Sequence, residues 1–141
     1  GLTPQAVAQL GGYKAQGRDI ATAKRLIEDA KILEEAGVST LLLEAVPAEV
    51  AKIITDRASV PVFGIGAGVH CDGQVLVIHD MIGMFDRHTP KFVKKYRAIG
   101  SQILEALEEF KIDVAERKFP GPEHCYPMPA DVAAELRKLY G

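Results

Sequence analysis

The chain has 141 residues, 48% hydrophobic and 26% charged, the balance of a globular protein with room for one core. A net charge of −2 without any long basic run argues against nucleic acid as a partner, and no apolar run is long enough to cross a bilayer. The two cysteines, Cys71 and Cys125, lie far apart and fit a reducing, cytoplasmic setting, and the four histidines (His70, His79, His88, His124) share no ligand spacing.

The chain opens on Gly1 rather than methionine, which reads as a cut from something longer. Thr3-Pro4 followed by residues 5–10 predicts a short helix with Thr3 as its N-cap. Gly11 to Gly17 is a glycine-flanked loop. From Ile20 to Ala36 the residues Ala23, Leu26, Ile27, Ala30 and Leu33 recur at helical spacing, and Gly37 stands where a C-cap glycine belongs. Val38 to Glu44 is the first strand, apolar on both faces as in a buried parallel sheet. Pro47 opens a helix that runs to Arg57, and Val60 to Ile65 is the second strand. Gln74 to His79 predicts a third strand. Thr89-Pro90 starts an expected long helix to Glu116, with Phe92, Tyr96, Ile99, Ile103, Leu107, Phe110 and Val114 in one stripe. Such a helix is about 40 Å long at ~1.5 Å per residue. Its cationic residues Lys91, Lys94, Lys95 and Arg97 read as the wet face. Four prolines between Phe119 and Pro129 predict an extended arm, and Asp131 to Tyr140 a last short helix. The division expected is residues 1–118 for the layered part and 119–141 for the arm and helix.

Three strands alternating with helices make an α/β unit of parallel strands with loops emerging on one side. That side carries the chemistry in α/β barrels, and a (β/α)8 barrel takes about 250 residues, so this chain has the length of a second half.

Glu44 is the leading candidate for chemistry. It stands at the carboxyl end of a strand behind three leucines, where partial desolvation makes a carboxylate a better proton acceptor. A glutamate that merely faces water or pairs with a lysine is the plainer reading of that position. Gly64-Ile65-Gly66-Ala67-Gly68 suits either a tight turn or a nest of N–H groups for an oxyanion, and lacks the spacing of a dinucleotide fingerprint. Asp72, His79 and Asp80 flank the third strand, where only one of His79 and Asp80 can face a site. His70 and His88 read as loop histidines and His124 as a surface residue.

With these residues in view, the sequence resembles the C-terminal half of the ketopantoate hydroxymethyltransferase family. The matching blocks are GLTPQ (1–5), LGGYKAQG (10–17), LLLEAVPAE (41–49), PVFGIGAG (61–68), DGQVLVIHDMIG (72–83) and PKFVKKY (90–96), in family order over about residues 1 to 125. The resemblance implies a (β/α)8 TIM barrel of the phosphoenolpyruvate/pyruvate type. It also implies transfer of a hydroxymethyl group from methylenetetrahydrofolate to 3-methyl-2-oxobutanoate, with Glu44 as catalytic base, magnesium (Mg2+) as cofactor and a decameric assembly. The family's metal-binding aspartates, and the lysine, glutamate and histidine that hold the keto acid, lie upstream of the GLTPQ block. No metal ligand is therefore expected in this chain, and a companion N-terminal half-barrel is expected to supply them. Whether Lys14 or Gln16 touches a ligand stays open. Competing readings are a non-catalytic half-barrel scaffold, another enolate-forming barrel lyase or mutase, and a flavodoxin-like domain, which needs about five parallel strands.

Overall fold

The computed structural model describes residues 1–9, 11–85 and 88–141. Its elements in chain order are α1 (Ile20–Glu35), β1 (Leu41–Glu44), α2 (Ala48–Arg57), β2 (Val62–Ile65), β3 (Gly73–Gln74), α3 (Ile78–Met81), α4 (Ile99–Ala115) and α5 (Ala130–Tyr140). Single 3-10 turns cover Pro4–Ala6 and Pro122–His124. The chain divides into two compact units, Gly1–Gly100 and Ser101–Gly141. Among the described residues no helix is long and apolar enough to cross a membrane.

The first unit is a mixed α/β layer. Its sheet is parallel throughout, in the order β1-β2-β3, with Leu41 opposite Val62 and Glu44 opposite Ile65. α1 starts where Asp19 accepts the Thr22 N–H at 2.9 Å and the Thr22 hydroxyl answers the Asp19 N–H, a capping box. It ends before Gly37, which takes the left-handed φ of 88° that glycine adopts without a steric cost. Pro47 caps α2, and Val50, Ala51 and Ile54 on its inner face are buried. They form one core with Ala30 of α1, Leu41 and Leu43 of β1, and Val62 of β2. Alternation along β1 leaves Leu42 on the opposite face, where it is 58% exposed, and Phe63 of β2 is likewise 37% exposed. One face of the sheet is thus covered by helices and the other stands bare.

Four expectations differ from the structure. The helix after Thr3 is only a 3-10 turn, Thr3 makes no side-chain capping bond, and Leu10, its expected last residue, lies outside the described residues. β1 and β2 begin at Leu41 and Val62, a few residues later than their apolar runs. The third strand is two residues long, not six. Its pairing follows β2, which turns away at Gly66 (φ 67°), so beyond the Val75 N–H to Gly64 carbonyl bond (2.9 Å) no ladder remains. His79 and Asp80 accordingly sit on α3.

The long helix starts at Ile99, not at Pro90, and at 17 residues spans about 25 Å. The backbone ahead of it is committed elsewhere: the N–H groups of Tyr96, Ile99 and Gly100 bond the carbonyls of Met81, Ile82 and Gly83 at 2.8, 2.9 and 3.1 Å. Those bonds override the helical periodicity of Phe92 and Tyr96.

In the second unit, the N–H groups of Lys118 and Phe119 fold back on the Asp113 carbonyl at the end of α4. The Phe119 ring meets Phe110 edge-on at 5.5 Å and lies 5.1 Å from the His124 ring. The proline-rich arm is extended apart from its one 3-10 turn.

Candidate active site at the carboxyl ends of the strands

Glu44 is the last residue of β1, and the chain around it is clamped from both sides. Its carbonyl accepts the Leu2 N–H at 2.8 Å. The next residue, Ala45, adopts φ 50°, a left-handed conformation uncommon for a side chain with a Cβ. Ala45 is held there by two backbone bonds: its N–H donates to the Ile65 carbonyl, and its own carbonyl accepts the Gln16 N–H, both at 3.0 Å. Val46 then donates to the Gly66 carbonyl at 3.2 Å and buries its side chain. These bonds fix the main chain from which the Glu44 carboxylate extends.

Glu44 is half-buried and faces a cavity of about 820 Å³. That is within the ~300–1,000 Å³ range typical of small-molecule sites. The walls are largely apolar, from Leu2, Val46, Ile65, Val77 and Phe92. The polar groups are Glu44, Asp80, Tyr13, Lys14, His88 and Lys91. Lys14 comes from the glycine-flanked loop, whose Gln16 Nε2 donates to the Lys14 carbonyl at 2.9 Å. Glu44 and Asp80 are the two carboxylates, one at the end of β1 and the other on α3.

The glycine turn is taken up by protein packing. A Cβ on Gly66 (φ 67°) would stand 2.7 Å from the Phe92 ring, and one on Gly68 (φ 80°) would overlap the Ala48 Cβ. The Gly68 carbonyl accepts from the Gln74 side chain at 2.9 Å. These positions therefore accept no side chain, as a tight turn requires, and both glycines also line the cavity.

The remaining candidates separate clearly. Asp72 does not reach the cavity: its Oδ2 accepts the Val62 N–H at 2.8 Å, at the opposite end of β2 from Glu44. Of the adjacent pair, Asp80 lines the cavity, whereas His79 is exposed and does not. His88 lines the cavity, contrary to its reading as a plain loop residue, while His70 is exposed elsewhere. The Nδ1 of His124 accepts the Gly121 N–H at 3.1 Å in the second unit, the surface role expected of it. Gln16 is engaged with backbone and does not line the cavity. Sequence reasoning missed Tyr13, His88, Lys91 and Phe92; the signal available was only that they lie within two residues of a glycine or proline.

Among the described residues no three histidine, cysteine, aspartate or glutamate side chains come together as a metal-binding set. Glu44 and Asp80 alone do not fit a magnesium site.

Comparison with known proteins bears on this arrangement. A family model described as ketopantoate hydroxymethyltransferase matches residues 1–122. The chain is similar to the 3-methyl-2-oxobutanoate hydroxymethyltransferase of Syntrophomonas wolfei, 52% identical over 140 residues, which are 99% of this chain and 50% of that protein. It is 53% identical over 131 residues to the enzyme of the same name from Oleidesulfovibrio alaskensis, covering 93% of this chain and 45% of the relative. The Syntrophobacter fumaroxidans protein of that name is 52% identical over 141 residues, all of this chain and 49% of its own length. The chain spans about half the length of the curated relatives it matches.

Proposed function

This chain belongs to the ketopantoate hydroxymethyltransferase family, and from that premise we propose that it supplies the proton-accepting part of a hydroxymethyltransferase site. The substrate is 3-methyl-2-oxobutanoate, the one-carbon donor is methylenetetrahydrofolate, and the product is ketopantoate, on a route to pantothenate. The observation that carries the reading is Glu44, half-buried at the end of β1 and open to a largely apolar cavity.

The chemistry follows from the acidity of the substrate. The C3–H bond lies beside a ketone, so its electron pair can pass into the carbonyl as an enolate when a positioned base takes the proton. Glu44 takes that proton. Water hydrolyses the donor's methylene bridge, breaking both of its C–N bonds to give formaldehyde and tetrahydrofolate. The enolate carbon adds to the formaldehyde carbon, and the alkoxide so formed takes up a proton to become the hydroxymethyl group. Val46, Ile65 and Phe92 receive the two methyl groups at C3 and keep bulk water from the carbanion. The magnesium that the resemblance implies would be held by residues of a companion half rather than by Glu44 and Asp80, and would supply positive charge for the enolate.

The bare sheet face supports the architecture. Leu42 and Phe63 point away from α1 and α2, and this is the face that becomes the filled interior when a parallel sheet closes into a (β/α)8 barrel. A companion half-barrel of similar length completes it, in a cytoplasmic homo-oligomer that is decameric by resemblance.

The test is Glu44→Gln in the complete assembly, followed by exchange of the C3 hydrogen of the keto acid in deuterated water. Loss of about 10²–10⁴-fold in exchange rate, with assembly intact by light scattering, is the expected result for removing a general base. Exchange at the wild-type rate would show that another group takes the proton.

A further inference from the structure

We propose that Lys14 and Lys91 form an anion-binding rim that receives the glutamate carboxylates of the one-carbon donor, an inference that rests on the transferase reading above. Two segments far apart in sequence bring these two lysines to the lining of one cavity. Lys14 rides on the loop that Gln16 fastens to Ala45, next to Glu44. Lys91 precedes Phe92, whose ring lies against Gly66. The backbone beside each lysine is therefore anchored at the turn that carries Glu44, while the ammonium groups stay free to move.

Neither lysine takes part in an ion pair among the described residues, whereas Lys52 pairs with Asp56 at 2.7 Å and Lys31 with Glu35 at 3.6 Å on the outer helices. Burial orders the charges: Glu44 and Asp80 are half-buried, while Lys14, Lys91 and the nearby His88 are exposed. Within this chain, negative groups thus line the inner part of the cavity and positive groups its more exposed edge.

That polarity selects the ligand. The keto acid's own carboxylate is separated from C3 only by the carbonyl carbon. With C3–H at Glu44, its anion stays deep, beside the reacting centre. An anion at the exposed edge must belong to the longer co-substrate. A pterin-glutamate donor has that form, with its one-carbon bridge on the ring nitrogens and its carboxylates at the far end. Lysine suits the task, since a mobile ammonium on a long stem follows a flexible tail without demanding one geometry.

The experiment measures donor KM in the complete assembly for wild type, Lys14→Ala, Lys91→Ala and Lys52→Ala. The donors are methylenetetrahydrofolate with one glutamate, with several, and the pteroate analogue with none. Each rim substitution raises KM for the glutamate-bearing donors about three- to tenfold, as expected for exposed ion pairs, with little change for the analogue. The wild-type preference for the longer tail weakens with added salt, and Lys52→Ala behaves as wild type. An equal rise for the analogue, or no rise for any donor, overturns the proposal. A rise confined to keto acid KM also overturns it, assigning the amines to the smaller substrate. These assays keep Glu44 intact, so they stand apart from Glu44→Gln, whose retained exchange would refute the base and not the rim.

Discussion

Replacing Gly66 with alanine isolates the contact that holds the cavity wall in place. At φ 67° an alanine pays for the left-handed backbone, about 1–2 kcal/mol. Its Cβ would stand 2.7 Å from Phe92 Cγ and Cδ1 and 2.9 Å from its Cβ, well inside contact distance. Relieving such an overlap in packed surroundings costs a further ~1–3 kcal/mol. The sum, about 2–5 kcal/mol, is readable as a lowered urea midpoint at unchanged m value. Phe92→Ala in the same background removes the obstacle but not the backbone strain. The double variant should therefore be more stable than the sum of the single effects by about 1–3 kcal/mol. Because Phe92 also sets Lys91, Gly66→Ala should raise donor KM as well. A cost below about 1 kcal/mol for Gly66→Ala, or strict additivity with Phe92→Ala, would refute the idea that this ring and this glycine are fitted to one another.

The Asp19 carboxyl is held below its ordinary value of 3.8, first by the Thr22 N–H and then by the Thr22 hydroxyl. A depressed carboxylate contributes stability above its unfolded value and loses it as pH falls through the folded one, so the contribution fades below about pH 4. Asp19→Asn, still a good cap, should flatten that part of the acid limb in thermal melts between pH 5 and 3; an unchanged limb would count against the cap. Ile54, 3% exposed between the helices and the sheet, should cost about 2–5 kcal/mol when cut to alanine. The same urea titration checks this, and a cost under ~1 kcal/mol would place the core elsewhere.

The elements that could be read from sequence are those decided by local pattern. α1 and α2 follow their apolar spacing, and their caps at Asp19 and Pro47 are local chemistry. β1 and β2 are apolar runs ended by turn residues, so Glu44 could be placed at a strand end from its neighbours alone. The failures lie where distant backbone decides. Residues 90–98 carry helical periodicity, yet Tyr96 donates to Met81, a contact 15 residues away that no window of spacing reports. The third strand failed for a related reason, because its length depends on where β2 stops. Site residues divided in the same way. Lys91 read as the wet face of a helix that does not exist there, and His88 as filler, although both open onto the cavity. Asp72 read as a residue flanking the third strand, and it pins the start of β2.

The twist at residue 45 restricts which substitutions this chain can accept. A side chain forked at its first carbon, such as valine, isoleucine or threonine, fits poorly at a φ of 50°, whereas glycine or asparagine accepts it readily. Selection at this position therefore acts on main-chain shape, with the methyl group incidental. Natural variation beside Glu44 is expected to be narrow for a reason unrelated to any contact with substrate.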